Sequence, residues 1–260
     1  MDLRNATAIV TGSSSGIGAA VAKEMAKCGC NVTINYSRNE EGARRVAAEC
    51  EAEGARTLTI QADVSEDEDC RKLVSSTKEA FGSLQILVNN AGATKFCRHQ
   101  ELSGLSKQDF LDIYSVNLVG PFQMTRAAED VMREAEVAHI VNMGSIAALT
   151  GVGSSIAYAA SKSALVTMTL SLARVLGPQI RVNAVCPGFV AGEWLKEGLG
   201  EKAYEKLKSQ YEEAAPLGET ATPEAVARSV TSLVGGADLT TGETLIIDGG
   251  MHLHTAPLRR

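Results

Sequence analysis

The chain has 260 residues, 45% of them apolar and 22% charged, proportions of a folded globular protein that exclude a disordered or fibrous one. Its 25 Lys and Arg stand against 31 Asp and Glu, a net charge of −6, and no basic stretch is dense enough to neutralise a phosphate backbone, so nucleic acid is not an expected partner. Six cysteines, at 28, 30, 50, 70, 97 and 186, have neither Cys-x-x-Cys spacing nor the density of a disulfide scaffold, and they read as reduced thiols with no metal to hold.

The start, Met1-Asp2-Leu3-Arg4-Asn5, lacks the basic residues and apolar core of a secretory signal. The longest uncharged run, 140–161, is broken by Asn142, Ser145, Thr150 and several glycines. No membrane span and a cytoplasmic location are therefore expected.

The first apolar, β-branched run, 6–11, leads into Thr11-Gly12-Ser13-Ser14-Ser15-Gly16-Ile17-Gly18 and then an alanine-rich helix. Strand, glycine turn and helix start form an anion cradle, so Gly12, Ser13, Ser14, Gly16, Ile17 and Gly18 are candidate cofactor-binding residues. Gly12 permits the tight turn, Gly16 admits backbone N–H groups to a pyrophosphate, and Gly18 lets the helix pack closely on the sheet. The same letters satisfy Gly-x-Ser-x-Gly, a hydrolase elbow with Ser14 as nucleophile and Asp248 with His252 or His254 as partners. That rival is the weaker one, because an elbow follows several strands and this turn follows the first.

The second run, 31–36, ends at Tyr36-Ser37-Arg38, where an NAD site would carry a carboxylate for the ribose hydroxyls. With Ser37 and Arg38 there instead, a 2′-phosphate is not repelled and has a cation to pair with, so NADP is the expected cofactor and NAD the possible alternative. Helical stripes follow, through Ala43, Val46, Ala47 and Cys50 and then through Cys70, Leu73, Val74, Thr77 and Phe81, with a strand at 57–61 between them. After a strand at 85–89, Ser106-Lys107-Gln108-Asp109 has the spacing of a capping box, and Gly120-Pro121 interrupts the next helical pattern.

Runs at 139–145, 180–185 and 244–247 complete seven candidate strands. Most lack polar alternation, the habit of parallel strands covered on both faces. With no linker, repeat or low-complexity segment, one doubly wound α/β domain over 1–260 is predicted. The segment 189–215, with Trp194, Leu195, Tyr204, Leu207 and Tyr211 among many charges, is too long for a simple connection and is expected to form a substrate lid.

Tyr158 and Lys162 lie four apart near the start of a helix and so share a face. A phenol is a poor base near neutral pH, and an adjacent ammonium eases its ionisation and joins its proton path. The glycine turn, Asn89-Asn90-Ala91-Gly92, Asn117, Ser145, Tyr158-x-x-x-Lys162 and Pro187-Gly188 together resemble the short-chain dehydrogenase/reductase family in order and spacing over residues 6–250.

The resemblance implies a single Rossmann-fold domain with a seven-stranded parallel sheet in the order 3-2-1-4-5-6-7, helices on both faces, and a homotetramer. It implies catalytic roles for four residues. Tyr158 would be the acid/base, Ser145 would polarise the substrate oxygen, Lys162 would bind the nicotinamide ribose and lower the Tyr pKa, and Asn117 would hold a relay water. Asp63 and Val64 would meet the adenine, Asn90, Ala91 and Gly92 would line the cofactor, and after Pro187 and Gly188 the backbone of Val190 would meet the nicotinamide amide.

Two positions depart from the pattern. Ser15 stands where many NADP(H)-preferring members have a basic residue, and Gly192 stands where many have a Thr that assists the nicotinamide. Overall the chain resembles β-ketoacyl-(acyl-carrier-protein) reductases and glucose dehydrogenase-like enzymes. The expected activity is NADP(H)-dependent interconversion of a secondary alcohol and a ketone of small or medium size. Acidic residues at Glu129, Asp130, Glu134 and Glu136, and six Glu against four Lys in the lid, weigh against docking an acidic carrier protein, which leaves 3-oxoacyl-(acyl-carrier-protein) reduction as an alternative. A nucleotide-binding regulatory protein without turnover is the alternative from another class, and the complete set Asn117, Ser145, Tyr158 and Lys162 counts against it.

Overall fold

The computed structural model describes residues Met1–Leu253. Seven short β-branched segments form the strands β1 (Thr7–Val10), β2 (Asn31–Tyr36), β3 (Thr57–Gln61), β4 (Ile86–Asn89), β5 (Ala138–Met143), β6 (Ile180–Pro187) and β7 (Thr244–Ile247). They make one sheet in the order β3-β2-β1-β4-β5-β6-β7, and every pair is parallel. The expected architecture is therefore the observed one, with strand ends shifted by a few residues. β6 runs on to Pro187, where β7 pairs with it, Pro187 opposite Ile247.

Parallel strands need crossovers, and the intervening segments supply the helices α1 (Gly16–Lys27), α2 (Glu40–Ala52), α3 (Asp67–Phe81), α4 (Lys107–Tyr114), α5 (Gly120–Arg133), α6 (Ala147–Thr150), α7 (Ile156–Leu176), α8 (Glu193–Leu199), α9 (Glu201–Ala214) and α10 (Pro223–Gly236). Alternate strand residues serve opposite faces. Ala8, Val10, Ile34 and Val88 join the core beneath α1, α2 and α10, whereas Ile9, Leu87, Ile140 and Val182 join the one beneath α3, α5 and α7. Both faces are thus dry, which explains the missing polar alternation.

The capping box at Ser106 and Asp109 is present at the start of α4. The interruption at Gly120-Pro121 is not a break: a π-helical turn, Ser115–Val119, carries α4 into α5, and Pro121 falls in the first turn of α5. α7 has the length and apolarity of a membrane span, but it carries Lys162 and Arg174 and buries Ala157, Leu165, Leu172 and Leu176 within the protein.

α1 comes close to the sheet only because residue 18 is glycine. A Cβ there would lie 2.5 Å from both the Gly12 carbonyl oxygen and Asn90 Nδ2, so Gly18→Ala forces helix and turn apart. Urea unfolding of that variant should show a loss of about 1–3 kcal/mol, and an unchanged midpoint would contradict the close packing.

Candidate active site

The carboxyl ends of the strands open into one cleft of about 840 Å³, at the place where the crossovers from β1 and β4 leave in opposite directions along the sheet, as the strand order requires. The two loops are locked beneath it. Thr11 Oγ1 accepts from the backbone N–H groups of Asn90 and Ala91 at 2.9 and 3.0 Å, and Asn90 Nδ2 donates back to the Thr11 carbonyl at 2.9 Å. Gly12 and Gly16 have φ values of +62° and +55°, which L side chains rarely adopt. Nothing lies within 4 Å of where a Cβ on Gly16 would be, so the turn presents bare backbone to the cleft.

Of the sequence-predicted cofactor residues, Gly12, Ser14, Gly16, Ile17, Ser37, Arg38, Asp63, Val64, Asn90, Ala91, Gly92, Tyr158, Lys162, Pro187 and Val190 all line this cleft. Ser13 does not serve as a ligand. It is fully buried, its N–H donates to the Asn35 carbonyl at 2.9 Å, and its hydroxyl donates to the Val10 carbonyl and accepts from Asn35 N–H. Its groups hold the turn to β2. Gly18 and Gly188 act by close packing instead, since a Cβ on Gly188 would lie 2.5 Å from Asp248 Cβ.

At the end beside β2, Arg38 is exposed on the loop. Arg45 and Lys23 also line the cleft there, and Lys23 pairs with Glu49 at 3.0 Å. Asn35, which the sequence reading passed over, accepts from Gly12 N–H at 3.0 Å through its side chain. A polar residue inside an otherwise buried strand was the available signal for it.

At the other end, α7 begins with Ser155, whose hydroxyl caps Tyr158 N–H at 3.2 Å. This places Tyr158 and Lys162 on the face turned to the cleft. Burial pushes the Tyr158 phenol up, and a hydrogen bond with Ser145 opposes that shift. Burial also pushes the Lys162 amine down to about 8. Lys162 Nζ donates to the Met143 carbonyl at 2.7 Å and sits over the Tyr158 ring, 5.8 Å from its centroid. The Lys162 ammonium thus lies between the Met143 carbonyl and the Tyr158 ring. The structure brings Ser145, Tyr158 and Lys162 together.

Asn117 is buried in the π-helical turn. Its Nδ2 donates to the Ala93 carbonyl and to Ser161 Oγ, both at 2.9 Å, and its Oδ1 accepts from Ala93 N–H at 2.7 Å. The side chain ties the loop after β4 to α7. After β6, the hydrogen bonds beside Val190 run from Ala221 N–H to the Phe189 carbonyl and from Ala191 N–H to the Ala221 carbonyl. Among the described residues, Val190's own N–H and carbonyl are left for a ligand. Nothing lies within 4 Å of where a Cβ on Gly192 would be, so the space of the missing Thr is open.

The hydrolase alternative fails on topology. Asp248 and His252 do meet, with His252 Nδ1 2.9 Å from Asp248 Oδ1, but they follow β7, at the opposite edge of the sheet from β3. Ser14 follows β1, four strands away, or about 19 Å at ordinary strand spacing. His254 lies outside the described residues.

Comparisons with known proteins agree with this geometry. Residues 12–252 match the family model described as enoyl-(acyl carrier protein) reductase. The chain is 39% identical over 247 residues, covering 95% of it and 96% of the relative, to a protein of Streptomyces violaceoruber provisionally designated ketoacyl reductase 2 of the granaticin polyketide synthase. It is 32% identical over 249 residues, 95% of this chain and 98% of the relative, to the 3-oxoacyl-(acyl-carrier-protein) reductase FabG of Staphylococcus aureus. A provisionally assigned short-chain dehydrogenase/reductase from Burkholderia xenovorans has a crystal structure that superposes with a TM-score of 0.89 at 38% identity, over 96% of this chain and 98% of that one. With its sheet order, its cleft and these matches, the chain belongs to the short-chain dehydrogenase/reductase family of oxidoreductases.

Proposed function

We infer that the protein reduces a ketone of small or medium size to a secondary alcohol, and can run the reaction in reverse, with NADPH as the hydride donor. The observation that carries this reading is Tyr158, with Ser145 near enough to lower its pKa and the buried Lys162 amine 5.8 Å from its ring centroid, at one end of a cleft whose other end is a glycine cradle. The open backbone at Gly16 and the unpaired groups of Val190 fit a dinucleotide, with the pyrophosphate at Gly12, Ser14, Gly16 and Ile17, the adenosine at Arg38, Asp63 and Val64, and the nicotinamide half along Asn90, Ala91, Gly92 and Lys162. The bound cofactor supplies or takes the hydride.

The chain's own residues do the rest. A substrate oxygen taken between Ser145 and Tyr158 receives two hydrogen bonds aimed at the charge that develops on it. Tyr158 then gives that oxygen its proton. A phenol whose pKa burial raises is a donor already protonated at neutral pH. Lys162 brings a positive charge beneath the ring, and Asn117, through Ala93 and Ser161, holds the loop and helix that frame the site.

Arg38, exposed where an NAD site would carry a carboxylate, supports NADP over NAD. We read segment 189–215 as the lid, and the protein as a cytoplasmic homotetramer. Apolar side chains left exposed on α5 and α7, Phe122, Leu170 and Val175 among them, support association. Reduction of an acyl chain on a carrier protein is the second reading, favoured by the name of the Staphylococcus relatives. The acidic run at Glu129, Asp130, Glu134 and Glu136 counts against it.

Tyr158→Phe should lower kcat for ketone reduction about a hundredfold or more while NADPH still binds; retained turnover would remove Tyr158 from the chemistry. Arg38→Ala should weaken NADPH binding about tenfold and leave NADH unchanged, as read by calorimetry, and equal effects on both would deny the phosphate contact. In a pH series, reduction should hold through neutrality and fall above about pH 8, where the Lys162 ammonium loses its proton, while oxidation rises as Tyr158 ionises. The opposite slopes would refute Tyr158 as the proton donor in reduction.

A further inference from the structure

The carbonyl-reducing end of the cleft is bounded by aromatic rings. Trp194, on the short helix α8, has its ring centroid 6.3 Å from that of Tyr158 at an interplanar angle of 46°, and 5.5 Å from Phe96 at 54°. These are the tilted arrangements that aromatic pairs favour. Phe96 is firmly held, because the loop that carries it is fastened to the loop before α7. Thr94 Oγ1 and Ser154 Oγ are 2.7 Å apart, and Cys97 N–H donates to the Ser154 carbonyl at 2.9 Å. α8 rests directly on this ring, since a Cβ on Gly198 would lie 2.0 Å from Phe96 Cε2.

α8 is otherwise lightly held: it has no buried residue, its Lys196 amine lies 5.3 Å from the Tyr204 ring centroid, it lies between Gly192 and Gly200, and Gly200 has φ +78°. α9 is pinned, by contrast, with Tyr204 and Tyr211 5.4 and 5.6 Å from Phe189. Trp194 lines the cleft but remains 49% exposed, so much of its ring has no protein partner. Glu193, its neighbour on α8, also lines the cleft, as does Lys162 beneath the Tyr158 ring.

On the strength of the oxidoreductase reading, we propose that Trp194, seated on Phe96 beside Tyr158, determines substrate specificity by stacking on the ring of an uncharged aromatic ketone. A substrate oxygen between Ser145 and Tyr158 leaves the rest of the molecule beside Trp194, whose uncovered ring offers a surface to another π-system. A saturated ring of the same shape fills the space without the aromatic gain.

The test compares β-tetralone with β-decalone, which share a bicyclic skeleton and an unconjugated carbonyl and differ in one aromatic ring. For the native chain with NADPH, kcat/KM should favour β-tetralone about three- to tenfold, through KM. Trp194→Ala should bring the ratio close to one, and Trp194→Phe should restore part of it. With NADP+ bound, β-tetralone should also quench the emission of Trp194, the single tryptophan, more than β-decalone does. Turnover of both ketones at a ratio near one in the native chain, or a Trp194→Ala variant that keeps the native ratio, would overturn the specificity role and leave the oxidoreductase reading standing. No turnover of either ketone with NADPH or NADH would count against that reading and remove the inference with it.

Discussion

The cleft exists because two loops that leave the sheet in opposite directions are tied at their roots. Thr11 and Asn90 exchange backbone and side-chain hydrogen bonds across the β1–β4 boundary, and Asn35 and Ser13 fasten the glycine turn to β2. Each bond satisfies a polar group that would otherwise be buried unpaired, at a cost of about 1–3 kcal/mol. The lock therefore stabilises the fold and also fixes the bare backbone of Gly16 as a surface that a phosphate can approach. Packing, local conformation and binding chemistry meet in the same few atoms.

α7 has a comparable double role. Its apolar residues fill the core beneath β5 and β6, and its first turns carry Tyr158 and Lys162 to the cleft. Burying an amine is unfavourable, which is why the Lys162 pKa falls to about 8, and the bond to the Met143 carbonyl offsets part of that penalty. Beneath the site a buried chain of amides, Asn89 to Asn142 and Asn142 to Thr169, links β4, β5 and α7. The Tyr158 end of the cleft is thus held by dry, hydrogen-bonded surroundings, while α8, which has no buried residue, brings Trp194 to it.

Much of this was legible in the residues. Apolar runs such as 6–11 and 85–89 pointed to strands covered on both faces, and the glycine spacing after the first located the cradle. What escaped was whatever depends on partners distant in sequence. Ser13 looked like a ligand because it lies between cradle residues, yet its hydroxyl is consumed by Val10 and Asn35. The spacing of Tyr158 and Lys162 sets the face they share but not the Met143 carbonyl that accepts from the ammonium. Phe96 carried no periodic signal, since its place under α8 depends on a loop fastened to Ser154 across nearly sixty positions. The π-helical turn was hidden because Gly120-Pro121 has the letters of a stop.

The central claim is that the loops after β1, β4 and β6 together hold one dinucleotide. Hydrogen–deuterium exchange of the native chain, with and without saturating NADPH, tests it most directly, because the ligand should cover backbone amides in three stretches far apart in sequence. The account predicts slowed exchange in peptides spanning Gly12–Gly18, Asn90–Gly92 and Gly188–Val190. Protection confined to one of them, or none in any, would contradict it.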